Sequence, residues 1–330
     1  MGLRVGVAGI GKLGREHVRV FKGFDEVDFI GCYDLIEERA LQASKDFGAT
    51  TFSTVQELID AVDAVSVVVP STKHAEVAVA ALEAGKDVFL EKPIASDVRA
   101  AERIVDATQR HQRILQMGHI ERFNSAFEAA FPFIQDPSFI EIHRLAPFAA
   151  RGIDVSVATD LMIHDLDILL LLLKRWPEDI RAKGAGILTT GPDIINARLE
   201  FANGCVANLT SSRVSVEPMR KIRVFSPNRY LSIDLFRRRV KRYEKGEKFK
   251  EGVARLKELE GSPGVIDLSE FLTIEEFETH GDEPLAKELK TFCRSVLTRK
   301  PPPVTGEDGL NALKLAEAVL DKIERESTTL

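Results

Sequence analysis

Three groups of residues in this chain have types and spacings suited to chemistry. The first is Gly9-Ile10-Gly11-Lys12-Leu13-Gly14, a G-x-G-x-x-G run set between a strand-like and a helix-like stretch. In that setting the first glycine permits a tight turn, the second lets backbone approach a pyrophosphate, and the third lets helix pack closely on strand. The helix N-terminus then offers unpaired N–H groups and a positive dipole end to phosphates. Asp34 follows Gly14 by twenty residues, at the end of the next strand-like stretch. A carboxylate there accepts hydrogen bonds from ribose hydroxyls and repels a 2′-phosphate, so the expected cofactor is NAD rather than NADP. The alternative for Asp34 is a helix N-cap.

The second group is Glu91-Lys92-Pro93, at the end of an apolar strand. Desolvating an ammonium is costly, which makes a lysine there unusual without a task. Beside a nicotinamide it stabilises a developing alkoxide; the plainer alternative is a lysine paired with Glu91 at a loop start. Pro70 and Ser71 follow a valine-rich strand at the same kind of edge. His74, three residues on, either faces the cofactor or caps its helix. The third group is Asp160 and His164, four residues apart on a helix-like segment among Leu161, Met162 and Ile163. They share one helical face, so a carboxylate stands where it orients a histidine base. Asp160 alone also reads as a first-turn carboxylate favoured by the helix dipole.

The elements that must position these groups alternate. Strand-like runs at Leu3–Ala8, Val27–Tyr33, Ala64–Val69, Asp87–Leu90 and Arg113–Met117 are separated by helix-like runs at Leu13–Phe21, Ile36–Phe47, His74–Glu83 and Ala100–Arg110. That order predicts a doubly wound parallel sheet of the Rossmann type over residues 1–119. Beyond it come helix-like Phe123–Phe133, strand-like Phe139–Leu145 and helix-like Ala158–Leu173. Strand-like runs then follow without helices between them: Ala185–Thr189, Ile194–Phe201, Cys205–Ser211, Lys221–Ser226 and Tyr230–Asp234. Two helix-like runs close the chain, Pro284–Leu297 and Leu310–Glu324. Residues 120–330 are therefore expected to form an α+β domain with an open, mainly antiparallel sheet covered by helices.

Composition narrows the function classes. A chain of 330 residues exceeds the usual size of one core. Its net charge of −6 gives no long-range attraction for nucleic acid or anionic lipid. The basic run Arg237, Arg238, Arg239, Lys241 and Arg242 reads as a solvated surface. Three scattered cysteines suit neither a disulfide framework nor a zinc site and agree with a reducing compartment. No stretch approaches the about 20 apolar residues that span a bilayer, and no signal-peptide pattern opens the chain. The expectation is a cytoplasmic protein with no membrane, metal or nucleic-acid partner.

Together the glycine run, Glu91-Lys92-Pro93 and the Asp160-x-x-x-His164 pair resemble the glucose–fructose oxidoreductase, inositol dehydrogenase and MocA (Gfo/Idh/MocA) family. The resemblance implies an NAD-dependent sugar dehydrogenase. Its catalytic trio would be Lys92, Asp160 and His164, and its cofactor residues Gly9 to Gly14, Asp34, Pro70, Ser71, His74, Glu91 and Lys92. It also implies a homodimer or homotetramer formed through the open sheet. Met117-Gly118-His119-Ile120-Glu121-Arg122-Phe123-Asn124 is similar to the UDP-N-acetylglucosamine 3-dehydrogenases, a group within that family. That likeness implies a nucleotide-sugar substrate and an aminotransferase acting next. Its substrate contacts would be His119, Glu121, Arg122, Asn124 and Arg151, with the two guanidinium groups on diphosphate oxygens or in ordinary ion pairs. Two rival readings stay open: a dehydrogenase of a free sugar or cyclitol, and a non-catalytic NAD(H) sensor.

Overall fold

The computed structural model describes residues 2–149, 155–246, 249–250, 254 and 272–327. The chain divides into two compact units. One comprises Met1–Phe123, Leu166–Leu171 and Asp282–Glu317; the other comprises Asn124–Asp165, Leu172–Gly281 and Ala318–Leu330. The first unit thus holds, besides the expected 1–119 domain, two segments from the expected 120–330 domain, because the chain returns to it near its end. The cause is apolar: Leu285, Leu289, Phe292, Cys293 and Val296 are buried in one cluster with Val5, Val7, Phe21 and Phe89.

The first unit holds a six-stranded sheet in the order β3-β2-β1-β4-β5-β6. Its strands are β1 (Leu3–Ala8), β2 (Val27–Tyr33), β3 (Thr50–Thr51), β4 (Ala64–Val67), β5 (Asp87–Glu91) and β6 (Leu115–Gly118). All neighbours in it pair in parallel. Every residue of β4, β5 and β6 is buried, as a sheet covered on both faces requires. The crossover helices are α1 (Lys12–Phe21), α2 (Glu37–Phe47), α3 (Val55–Ala61), α4 (His74–Glu83) and α5 (Val98–His111). Helix α3 has no counterpart among the helix-like runs, although its start is signalled. Glu57 N–H donates to Thr54 Oγ1, the N-cap, at 3.1 Å, and Ser53 N–H, just before the cap, donates to the Glu57 carboxylate at 3.0 Å.

The second unit holds an eight-stranded sheet in the order β14-β13-β12-β11-β7-β10-β9-β8. These strands are β7 (Phe139–Leu145), β8 (Asp179–Ala185), β9 (Ile194–Glu200), β10 (Val206–Ser212), β11 (Met219–Ser226), β12 (Arg229–Asp234), β13 (Arg239–Lys245) and β14 (Leu272–Glu278). Only β7 and β10 pair in parallel; the other pairs are antiparallel. Along β7 and β9 buried residues alternate with more exposed ones, so one face of the sheet is covered. α6 (Ser125–Ala130) precedes β7, and a π-helical turn over Ala158–Met162 leads into α7 (Ile163–Leu173). α8 (Pro284–Thr298) and α9 (Gly306–Ser327) close the chain.

One strand expectation for this unit changes, and the basic run gains partners. The strand read at Ala185–Thr189 lies earlier, because Asp193 takes the amides there. Ile187, Leu188 and Thr189 N–H donate to its carboxylate at 2.8, 2.6 and 2.9 Å and are lost to any ladder. The basic run after Phe236 includes strand β13, and its charges face the acidic β14. Arg239 pairs with Glu278, Lys241 with Glu276 at 2.8 Å and Arg242 with Glu275 at 2.8 Å. Among the described residues no helix is long and apolar enough to cross a membrane.

Candidate active site

In the first unit the carboxyl ends of β1, β2, β4, β5 and β6 lead into Gly9, Asp34, Val68-Val69-Pro70-Ser71, Lys92 and His119. The strand order reverses between β1 and β4. Ligands of open α/β sheets bind outside the carboxyl ends at such a reversal. Residues far apart in the chain thus come to one edge.

Each glycine of the turn has a separate physical reason. Gly9 adopts φ +94°, and a Cβ there would meet the Val68 carbonyl at 2.6 Å. A Cβ on Gly14 would stand 1.9 Å from the Gly9 oxygen, whereas one on Gly11 would meet nothing within 4 Å. The space beside Gly11 is open, and α1 begins after it with no side chain capping its first amides. Lys12 and Leu13 are exposed at that helix start, while Ile10 is buried. Asp34 accepts from the Ile10 N–H at 2.6 Å and from the Ile36 N–H at 2.8 Å. The open turn, the uncapped helix start and a carboxylate at the end of β2 fit a dinucleotide.

Lys92 is half-buried just past β5. Glu91, expected at the cofactor, is the buried last residue of β5. Its buried carboxylate lies 3.3 Å from His17 Nε2 and 3.3 Å from the Lys92 amide nitrogen. A Cβ on Gly118 would meet that carboxylate at 2.9 Å, so the glycine makes room for it. His17 is buried on α1, with Nδ1 2.8 Å from Ser66 Oγ. The sequence reading missed it, although Gly14, His17, Val18 and Phe21 recur at helical spacing along the buried face. His74 is the residue expected either to face the cofactor or to cap its helix. It is 1% exposed, with Nδ1 2.8 Å from the Pro93 oxygen and Nε2 2.9 Å from the Val69 oxygen. Pro70 and Ser71 lie at the surface just beyond β4, Pro70 exposed and Ser71 half-buried.

Of the residues read as substrate contacts, Arg122 has other partners. Its guanidinium donates through Nε to Asp167 at 2.7 Å and through Nη2 to the same carboxylate at 2.5 Å, with Asp308 3.2 Å away. Two carboxylates already neutralise this buried cation, as the ion-pair alternative expects. His119 is buried with Nδ1 4.0 Å from Asp167. Burial pushes its imidazole below the usual histidine range; Asp167 opposes this, while Arg122 and Lys92 reinforce it. Glu121 is buried.

In the second unit Asn124 serves the fold. Its Oδ1 accepts from the Ala126 N–H and caps α6, while Nδ2 donates to the Leu235 oxygen, both at 3.1 Å. Arg151 lies outside the described residues. Asp160 sits in the π-helical turn and His164 in the first turn of α7, both half-buried. Such turns concentrate at functional positions. The residue after His164 anchors the helix: Arg144 on β7 donates to the buried Asp165 carboxylate at 2.9 and 2.7 Å. The expected trio is therefore split, with Lys92 in one unit and Asp160 and His164 in the other.

Comparisons with known proteins agree with this architecture. Residues 3–119 match the oxidoreductase family with an NAD-binding Rossmann fold, and residues 116–229 match the GFO/IDH/MocA C-terminal domain. A UDP-N-acetylglucosamine 3-dehydrogenase from Acidithiobacillus ferrooxidans is 34% identical, covering 98% of this chain and 97% of that protein. The solved structure of that organism's UDP-N-acetylglucosamine 3-dehydrogenase superposes with a TM-score of 0.88 at 32% identity, covering 98% and 99% of the two chains. A myo-inositol 2-dehydrogenase from Thermotoga maritima is 28% identical over 98% of this chain and 96% of its own. With the glycine turn, the Asp34 carboxylate and the Lys92 loop on one sheet edge, this chain belongs to the Gfo/Idh/MocA oxidoreductase family and is an NAD-dependent enzyme.

Proposed function

We propose that this enzyme oxidises the 3-hydroxyl of UDP-N-acetylglucosamine to the 3-keto sugar. The observation that carries the chemistry is the shared edge: the glycine turn, Asp34 and Lys92 all follow carboxyl ends of one parallel sheet. The substrate assignment rests on whole-chain likeness to the Acidithiobacillus ferrooxidans enzyme. Bound NAD supplies the hydride acceptor. His164, as neutral imidazole, accepts the hydroxyl proton, and Asp160 orients the ring and stabilises its charged form. The Lys92 ammonium stabilises the negative charge growing on the substrate oxygen. Asp34 receives the ribose hydroxyls through lone pairs that its two backbone bonds leave open. His119 and Glu121 remain the proposed substrate-side residues.

A 3-keto sugar is a substrate for transamination, so an aminotransferase acting next completes the proposal. The open face of the eight-stranded sheet is the proposed contact between copies of the chain, as a homodimer or homotetramer in the cytoplasm. The test is a panel of UDP-sugars and free polyols with NADH formation followed for each. Turnover confined to UDP-N-acetylglucosamine supports the reading. Turnover with myo-inositol and none with UDP-sugars replaces it with the cyclitol reading, which the Thermotoga maritima relative favours. NADH binding without turnover of any substrate makes the chain a sensor.

A further inference from the structure

The mechanism above uses Lys92 and leaves unexplained why a histidine is sealed beneath it. His74 opens α4 and is 1% exposed. Its ring stands between two loops at the carboxyl edge. Nδ1 is 2.8 Å from the oxygen of Pro93, the residue after Lys92, and Nε2 is 2.9 Å from the oxygen of Val69, at the start of the loop past β4. Both neighbours are carbonyl oxygens, which accept hydrogen bonds and cannot donate them.

We propose that His74 is a positioning residue that fixes the Lys92 loop through the Pro93 carbonyl. Burial holds the imidazole below the usual histidine range, against the pull of the Pro93 and Val69 carbonyls and of Glu91. A neutral imidazole has one N–H to give, and the shorter contact, to Pro93, is the one that bears on Lys92. Without it, the loop that carries the ammonium loses its tether on the α4 side. Displacing a catalytic group by ~1 Å costs on the order of 10²-fold in rate.

The inference rests on Lys92 acting in catalysis, so the test separates the two claims. Counted along the side chain, asparagine places its amide nitrogen about where Nδ1 stands, and glutamine about where Nε2 stands. His74→Asn therefore keeps the donor to Pro93, whereas His74→Gln and His74→Ala lose it. Expected is a kcat about 10–100-fold down in the glutamine and alanine variants and within about threefold of the parent in the asparagine variant. NADH affinity should stay within about threefold in all three. Equal kcat in the asparagine and glutamine variants, or loss of NADH binding in step with kcat, overturns the proposal. If the parent turns over no substrate, the reactivity of Lys92 toward an amine-acylating reagent, mapped by mass spectrometry, replaces kcat. A rate shifted in the glutamine but not the asparagine variant upholds the tether while the catalytic reading falls; identical rates in both remove the tether. The asparagine and glutamine pair carries the comparison even if the alanine variant does not fold.

Discussion

The Asp34 carboxylate accepts the Ile10 amide proton at 2.6 Å, so the acid that ends the second strand holds the glycine turn in place. The same carboxylate keeps lone pairs for the ribose hydroxyls of the proposal, so turn and cofactor selectivity meet in one residue.

Asp34→Ala should weaken NAD binding by about 10–100-fold, because a hydrogen bond to a charged group is worth about 1.5–3 kcal/mol. Removing the negative charge should also admit NADP. Asp34→Asn keeps one acceptor for the Ile10 amide and should lose selectivity more than affinity. Titration of each variant with both cofactors checks this. Unchanged preference for NAD would leave Asp34 as a turn-holding residue alone.

Lys92→Ala and His164→Ala should each lower turnover by about 10²–10⁴-fold while NADH still binds. Asp160→Asn should lower it less and alter the acid limb of the pH–rate profile, since its task is to orient the imidazole and stabilise its charge. The check is steady-state kinetics beside a direct NADH titration. Near-parent turnover in a Lys92 or His164 variant removes that residue from the mechanism.

The parts of the site that were legible in the sequence are those written locally. A turn that tolerates only glycine, an acid at a fixed distance and a lysine at a strand end each report their surroundings through near neighbours. The partners that tie the site down are not local. Arg122 finds Asp167 forty-five positions on, and His74 finds Pro93 nineteen positions on. Periodicity marks Asp167 merely as the flank of an apolar run, and nothing in its neighbourhood names a guanidinium. The shift of β8 has the same root: the alternation of Ile180, Arg181, Ala182 and Lys183 was available, but Asp193's hold on three later amides was not.

Arg122→Ala separates an ion pair from a substrate contact. The variant leaves Asp167 buried and without its main cation, a loss of about 3–5 kcal/mol in stability. Arg122→Lys keeps the charge but not the two-pronged geometry and should recover part of it. Replacing both Arg122 and Asp167 by apolar residues of similar volume should be less damaging than Arg122→Ala. Denaturant unfolding at neutral pH reads these effects. An Arg122→Ala variant that unfolds like the parent but binds the nucleotide sugar more weakly would favour the diphosphate role.

Glu288 supplies the pH dependence. Its side chain is fully buried on α8, and neither carboxyl oxygen has a hydrogen-bond partner among the described residues. Burial first, then the charges of Glu91 and Asp167, push its acid well above the ordinary carboxylate range. An acid whose folded value is raised holds its proton in the fold while the unfolded chain has released it. Its contribution is therefore complete below about pH 4.3 and is lost as pH rises toward the folded value. Glu288→Gln keeps the shape and removes the proton, so it should leave stability in mild acid nearly unchanged and raise it at neutral and alkaline pH. His74 and His119, both depressed by burial, act in the opposite sense, since each loses stability as pH falls below about 6.5. Unfolding measured from pH 5 to pH 9 in parent and Glu288→Gln isolates the glutamate, because the histidine contribution is common to both. Parallel stability curves across that range would mean that Glu288 carries no raised acid.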